Sequence, residues 1–260
     1  MKVFIGYNRT VKLAWLEAAA GLAAAGKSDS DIYQALREML KDQLSLESNA
    51  KRGSREKTIT LLLKTWVRVP GELSAFRQRA LNLFKTQPTS NHIILHWAMS
   101  FATYPFCKIV AEVLGRALIL QGTAVAAQVQ RRVRELLGER ETVSRSTRYV
   151  IRAFQDWGVI ESSGRQGIYR PMPAITITDP TMASFLLEGY LRANNNDPVT
   201  SGILQATPAL FPFELSHLNL GQVLADPRFD VSRQALNQDL VRLRLAFSEE
   251  PSPPRKTASK

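Results

Sequence analysis

A phosphate-binding loop is the first chemistry that the sequence raises, because GLAAAGKS at residues 21–28 matches the pattern G-x-x-x-x-G-K-[ST]. Such a loop binds phosphates through backbone N–H groups at the point where a buried strand turns into a helix. Here the preceding residues LAWLEAAA form a helical run, and the variable positions Leu-Ala-Ala-Ala continue it. The pattern therefore predicts a helix that ends at Gly26 before a polar turn, without nucleotide binding.

Three histidines and one cysteine are the other residues with catalytic or metal-binding chemistry. His92 and His96 are four residues apart on one helix face, which suits a metal, but no glutamate completes a zinc-protease motif. They are expected to pack or hydrogen-bond within the helical core. Cys107 has no obvious partner base, so a small buried side chain is expected. The sequence thus predicts neither catalysis nor a metal or cofactor.

The spacing of the arginines is the feature of the sequence that says most about function. On a helix over residues 142–157, Arg145, Arg148 and Arg152 fall on one stripe at 100° per residue, with Tyr149 beside them. The opposite stripe is apolar and consists of Val143, Thr147, Val150, Ile151, Phe154 and Trp157. One side of this helix is therefore predicted to pack, while the other presents guanidinium groups that can fork onto guanine edges or phosphates. A merely solvated, arginine-rich helix is the alternative.

A preceding helix is needed to support this one, and the sequence supplies it. Its predicted apolar face contains Val125, Val129, Val133 and Leu136, and Gly138 ends it. Its other faces carry Arg131, Arg132 and Arg134, which are candidates for phosphate contacts. The turn ERET then leads to the arginine-striped helix, for which Thr142 or Ser144 is the expected N-cap.

A β-hairpin is predicted directly after the two helices. Residues 159–161 and 168–170 can pair as short strands, and SSGRQG between them supplies glycines for the turn. Two helices followed by a hairpin are the winged helix-turn-helix arrangement, in which the second helix enters the major groove and the wing contacts flanking DNA. Arg165 and Arg170 are the candidate contacts of the wing. Between residues 131 and 170 every basic residue is arginine.

Two further basic segments are less specific. Lys51, Arg52 and Arg55 surround the predicted start of a helix, capped by Ser54, which is a natural phosphate site, although a solvated loop explains these residues equally well. Residues 218–245 also admit a second helix-turn-helix, whose recognition helix would begin near Ser232 and carry Arg233, Asn237, Arg242 and Arg244.

Composition limits the class of protein. The chain has 260 residues, a net charge of +11 and 45% hydrophobic residues, so it can build a core and favours polyanionic partners. We predict a mainly α protein with an N-terminal helical domain at 1–104, a winged-helix region at 105–175, a mixed C-terminal region at 176–247 and a disordered tail at 248–260. No stretch is long enough to span a membrane, and the single cysteine suits a reducing cytoplasm.

A longer run of the sequence is similar to a known family. LHWAMSFATYPFCKIVAEVLGRALILQG, continued by VQRRVRELLGERETVSRSTRYVIRAFQDWGVI, resembles the BrxA family of BREX phage-exclusion systems, as does the upstream block SREKTITLLLKTWVRVPGEL. The resemblance covers roughly residues 10–160. It implies a small, mostly helical, non-enzymatic DNA-binding protein, encoded beside a methyltransferase, a phosphatase-like protein and a large ATPase, with a cytoplasmic role in defence against phage.

The residues and the resemblance together predict a non-enzymatic protein that binds double-stranded DNA within a BREX anti-phage system. Two alternatives remain open at this point. One is a helical RNA-binding adaptor, and the other is a protein-interaction scaffold within the defence complex.

Overall fold

Helices make up most of the structure. The computed structural model describes residues 5–44, 53–234 and 238–244 of the chain. The α-helices within these ranges are α1 Leu13–Ala24, α2 Asp29–Met39, α3 Ser54–Trp66, α4 Ser74–Thr86, α5 His92–Thr103, α6 Pro105–Gln121, α7 Ala126–Leu137, α8 Glu141–Asp156, α9 Pro180–Ala193, α10 Ser201–Ala206 and α11 Leu220–Leu224. Single 3-10 turns occur at Gly71–Leu73, Thr89–Asn91 and Pro208–Leu210.

The strands are short and form three small sheets. They are β1 Ala124–Val125, β2 Ile160–Ser162, β3 Ile168–Pro171, β4 Ile175–Thr176, β5 Val199–Thr200, β6 Phe213–Glu214, β7 Phe229–Gln234 and β8 Gln238–Leu243. One sheet has the order β1-β3-β2, a second pairs β4 with β6 in parallel, and the third has the order β5-β8-β7. The protein is therefore mainly helical with a few small sheets.

The N-terminal helices confirm that a helix ends at Gly26 within the GLAAAGKS segment. Its first residues continue α1, and Gly26 takes a φ of +73° just beyond the helix end. This left-handed conformation is what a helix-terminating glycine adopts. Ser28 then caps α2 by accepting a hydrogen bond from the backbone N–H of Asp31. The segment is thus a connection between two helices, without the preceding strand that a phosphate loop requires.

Helix α5 is the centre of the core. All its residues from His92 to Ala102 are buried, and it crosses α9 closely. A Cβ atom at Gly189 of α9 would lie 2.7 Å from the Cβ of Ala98, so only glycine permits this approach. The ring of Trp97 contacts the rings of Phe154, Trp157, Phe211 and Phe213, at centroid distances from 4.5 to 5.9 Å. These contacts join all three predicted regions; their boundaries stay a prediction.

A buried carboxylate fastens three parts of the chain. Glu188 of α9 is 1% exposed in its side chain and receives hydrogen bonds from Arg79, Arg192 and Arg228. Arg228 also donates to Asp226, and that hydrogen bond lowers the pKa of Asp226 to about 2 against the opposing effect of partial burial. The cluster joins α4, α9 and the approach to β7.

The C-terminal segment corrects one prediction. The second helix-turn-helix is wrong, because residues 229–234 and 238–243 form the antiparallel strands β7 and β8. Val241 and Leu243 point into the core, whereas Arg242 and Arg244 are exposed, which is the period-2 alternation of a half-buried strand. Asn237 and the predicted tail at 248–260 lie outside the described residues.

Within the described ranges, no single helix is both long and apolar enough to cross a membrane. The segments Thr89–Thr103 and Pro105–Gln121 reach that length and composition only together, and they are bent by 117° at the break between them.

Candidate nucleic-acid interface

Helix α8 is held by its apolar stripe, as predicted. Val143, Thr147, Val150, Ile151, Phe154 and Trp157 are all buried. The C-terminal end is also fastened to the N-terminal segment, since Asp156 Oδ1 accepts from the Leu13 N–H at 2.8 Å and Trp157 Nε1 donates to the Val11 carbonyl at 2.9 Å. The helix is therefore fixed along its length, and its exposed side has a defined direction.

The exposed side of α8 is a narrow stripe that contains the three predicted arginines. Arg145, Arg148 and Arg152 are exposed along one line, with Glu141 at its start. Arg148 is in an ion pair with Glu141, with a 3.3 Å nitrogen–oxygen distance, and both side chains face solvent. Within the part of the chain that the structure describes, Arg145 and Arg152 make neither a hydrogen bond nor an ion pair. Their donors are free for an external acceptor.

Tyr149 connects this stripe with a residue that the sequence reasoning missed. The tyrosine is half-buried, and the guanidinium carbon of Arg9 lies 5.9 Å from the centre of its ring. Arg9 Nε also donates to Ser54 Oγ at 3.2 Å. A cation is thereby placed beside the arginine stripe. No local pattern indicates this neighbour, because residues 9 and 149 are brought together only by the tertiary fold.

The hairpin has the predicted position and one strand more than predicted. Strands β2 and β3 pair antiparallel, with Glu161 opposite Arg170 and Ser162 opposite Tyr169. Strand β1 adds to the free edge of β3, with Ala124 opposite Tyr169. The loop between β2 and β3 is exposed from residue 163 to 166, and Arg165 at its tip lacks a partner among the described residues.

The other predicted arginines are held by nearby carboxylates. Arg170 is paired across the hairpin with Glu161 at 2.9 Å. On α7, Arg131 and Arg132 both lie near Glu135, at 3.7 and 2.8 Å, and Arg134 lies 3.0 Å from Glu139. The hydrogen bond from Arg132 lowers the pKa of Glu135. Exposed ion pairs of this kind are weak because water screens them, so they can be exchanged for phosphate contacts.

The structure corrects part of the prediction for the basic segment before α3. Arg55 is only 6% exposed, because it lies on the packed side of α3, and a surface contact with DNA is therefore excluded for it in this conformation. Lys51 and Arg52 lie outside the described residues. The predicted cap is also wrong, since Gly53 occupies the N-cap position and Ser54 is the first helical residue.

Two details of the predicted helix pair differ as well. Thr142 and Ser144 lie inside α8, whose N-cap position is occupied by Arg140 without a side-chain cap. Val125 belongs to β1, and Leu136 is 54% exposed, although Val129 and Val133 are buried as predicted. Leu136 shares their face but lies beyond the part of α7 that its neighbours cover.

His92 and His96 lie in the core, as expected. His92 Nδ1 and His96 Nε2 lie 2.7 and 2.8 Å from the two carboxylate oxygens of Glu17. Burial lowers the pKa of His96, and the hydrogen bond that His96 donates to Glu17 opposes this only in part. Burial would raise the pKa of Glu17, but the hydrogen bonds from His96 and His92 outweigh it and lower the pKa. In the described ranges no group of three or more His, Cys, Asp or Glu side chains has the arrangement of a metal site.

Cys107 is buried as well, and this burial raises the pKa of its thiol well above the usual value. A thiol with a raised pKa holds less of the nucleophilic thiolate at neutral pH. The side chain therefore fits the predicted role of a small apolar residue in the core.

Comparison of the chain with protein-family models, with curated proteins and with solved structures gave no match.

Proposed function

We propose that this protein binds double-stranded DNA without catalysing a reaction, and that α6 to β3 form a winged helix-turn-helix. The order α6–β1–α7–α8–β2–β3 supports this proposal, because two helices are followed by a hairpin whose second strand, β3, also pairs with β1. In this proposal α8 is the recognition helix and the β2–β3 loop is the wing.

The observation that carries the proposal is the free state of Arg145 and Arg152. They lie seven residues apart, two turns of one helix, and therefore about 10 Å apart along its axis. Two exposed guanidinium groups that lack carboxylate partners among the described residues, on a helix fixed by its other side, are placed to donate to phosphates or base edges. Arg148 joins them by exchanging Glu141 for a phosphate oxygen.

The neighbouring cations extend this contact. Arg165 at the loop tip and Arg170 on β3 would meet the backbone that flanks the groove occupied by α8. Arg131, Arg132 and Arg134 on α7 would meet phosphates on the other flank. Arg9 and Tyr149 lie beside the stripe and add a further cation with an aromatic ring. Most of these contacts are to phosphates, so the proposed binding is mainly electrostatic.

The biological setting rests on the resemblance alone. The similarity to the BrxA family over roughly residues 10–160 supports a role in a bacterial BREX anti-phage system. The partners proposed on this basis are the methyltransferase, the phosphatase-like protein and the ATPase of that system, in the cytoplasm. The burial of Cys107 and the α1–α2 connection at GLAAAGKS fit a protein that leaves catalysis to such partners.

A salt titration tests the binding mode. Fluorescence anisotropy with a duplex DNA probe should give an affinity that falls steeply with salt, with a slope of about −0.9 per phosphate neutralised. Structured RNA should compete poorly, because the major groove of A-form RNA is too narrow for a helix. An affinity that does not change with salt, or RNA that competes better than duplex DNA, would contradict the proposal.

A further inference from the structure

The apolar floor of a groove between α6 and α7 has no role in the proposed DNA contact, although Arg131 and Arg132 lie at its rim. The groove has a volume of about 580 Å³, and its apolar lining includes Ile109, Val113, Ala117, Leu120 and Leu136. Leu120 is 75% exposed and Leu136 is 54% exposed. None of the residues that the structure describes covers this surface. Exposed apolar side chains that line one groove mark a contact site for another protein surface.

Helix α6 contributes a complete stripe to this groove. Ile109, Val113, Ala117 and Leu120 recur at intervals of four, four and three residues, which places them on one face. The helix has 17 residues and is therefore about 25 Å long. An uncovered helix face with this spacing is one against which a second helix can pack.

The charges along the stripe become complementary when the stripe is paired antiparallel with a copy of itself. Glu112 and Arg116 both line the groove, one on each side of the middle of the stripe. Within the molecule Glu112 is in ion pairs with Lys108 at 3.0 Å and with Arg116 at 3.6 Å, and the side chain of Arg116 is 61% exposed, so it can also reach a carboxylate of another chain. When the stripe is laid antiparallel on a copy of itself, Ile109 meets Leu120 and Arg116 comes within reach of Glu112.

We propose that this groove receives helix α6 of a second copy of the chain, and that the protein forms a two-fold symmetric dimer. In an isologous interface the same patch serves both subunits, so Leu120 would enter the groove of the other copy while the groove here receives the partner's Leu120. Arg116 would pair with the partner's Glu112. Helices α6 and α7 of both copies would then form a four-helix interface.

The remaining charges of the groove are compatible with this dimer. Arg131 and Arg132 are exposed to 69% and 61% and share Glu135. They lie on α7 at the rim, so their guanidinium groups can stay in water when the apolar floor is covered. Helix α8 is not part of the groove lining, so the dimer does not depend on the proposed function.

Sedimentation of the full chain without DNA tests the dimer. At about 0.15 M salt, where the Debye length is about 8 Å, and at about 100 µM protein, we expect twice the monomer mass. The monomer mass is 29.1 kDa. Leu120→Glu should raise the dissociation constant at least about 100-fold, because it places a charge against an apolar surface. Its high exposure means that the fold should persist, which circular dichroism can verify.

Ile203→Glu is the matched control, since Ile203 is 57% exposed on α10 and lies outside the groove. This variant should remain dimeric. A wild-type chain that stays at the monomer mass would overturn the proposal, and so would a dimer that Leu120→Glu leaves intact.

Discussion

Arg145 and Arg152 differ from the neighbouring arginines in what surrounds their guanidinium groups. Arg131, Arg132, Arg134, Arg148 and Arg170 each face a carboxylate within 4 Å. Arg145 and Arg152 have no such partner in the described part of the chain. A phosphate can therefore bind them without displacing an internal contact, so these two side chains should contribute most to affinity.

The contact of the half-buried Glu17 with the buried His92 and His96 leads to a prediction about stability and pH. The folded pKa of His96 is lowered below the ordinary value of 6.5, so the unfolded chain takes up a proton first as the pH falls. The contribution of His96 is therefore complete above 6.5 and declines below it. The lowered pKa of Glu17 acts in the same direction, but only below its ordinary value of 4.5.

We expect the urea midpoint of the wild-type chain to fall between about pH 7 and pH 5.5, because the unfolded chain binds a proton at His96 more readily than the folded chain does. His96→Gln should reduce that fall, since the side chain that titrates is gone. His217→Gln is the matched control, because His217 is exposed and should leave the wild-type pH dependence unchanged. Equal pH dependence in wild-type and His96→Gln chains would refute this assignment.

The burial or exposure of a single residue was predictable where it depends only on the helix face on which the residue lies. The burial of Phe154 and Trp157 and the exposure of Arg145 and Arg152 follow from the 3.6-residue period of α8. Arg55 and Leu136 were not predictable in this way. The period indicates which face a residue shares, but other elements determine whether that face is covered. Arg9 lies beside Tyr149 only through a contact across 140 residues of sequence.

At the scale of elements, most helices follow from local sequence and the last hairpin does not. Residues 232–245 contain Gln, Ala, Leu and Asp in an order that suits a helix as well as a strand. Their alternation Val241-Arg242-Leu243-Arg244 indicates a strand, and pairing of β8 with both β5 and β7 fixes it. Strand β1 has two residues and depends on β3 for its existence, so no local signal indicates it.

The crossing of α5 and α9 gives a prediction at this scale. Gly189→Ala should destabilise the protein by about 1–3 kcal/mol, because the new methyl group would overlap Ala98 in a packed core. Gly202→Ala is the matched control, since nothing lies within 4 Å of the position that its Cβ would take. That control should be neutral or slightly stabilising, by up to about 1 kcal/mol.

Urea unfolding followed by circular dichroism measures both glycine variants. A Gly189→Ala chain as stable as Gly202→Ala would show that the two helices do not cross as closely as described.

At the scale of the whole molecule, charge and packing have separate roles. The net charge of +11 favours polyanions in general but does not select a surface. The packing of α8 against α5, through Trp97 and Phe154, and against the N-terminal segment selects one helix side. The proposed dimer would contain two copies of the exposed side of α8. Two linked contacts of this kind would increase the affinity for duplex DNA.

Charge reversal on α8 tests the central claim most directly. Arg145→Glu/Arg152→Glu is compared with Lys27→Glu/Lys85→Glu, which lowers the net charge equally at two exposed lysines on other elements. Binding to one duplex DNA at constant salt should weaken at least about tenfold more in the α8 variant than in the control. Equal affinity of the two variants for DNA would contradict the assignment of α8 as the DNA-binding helix.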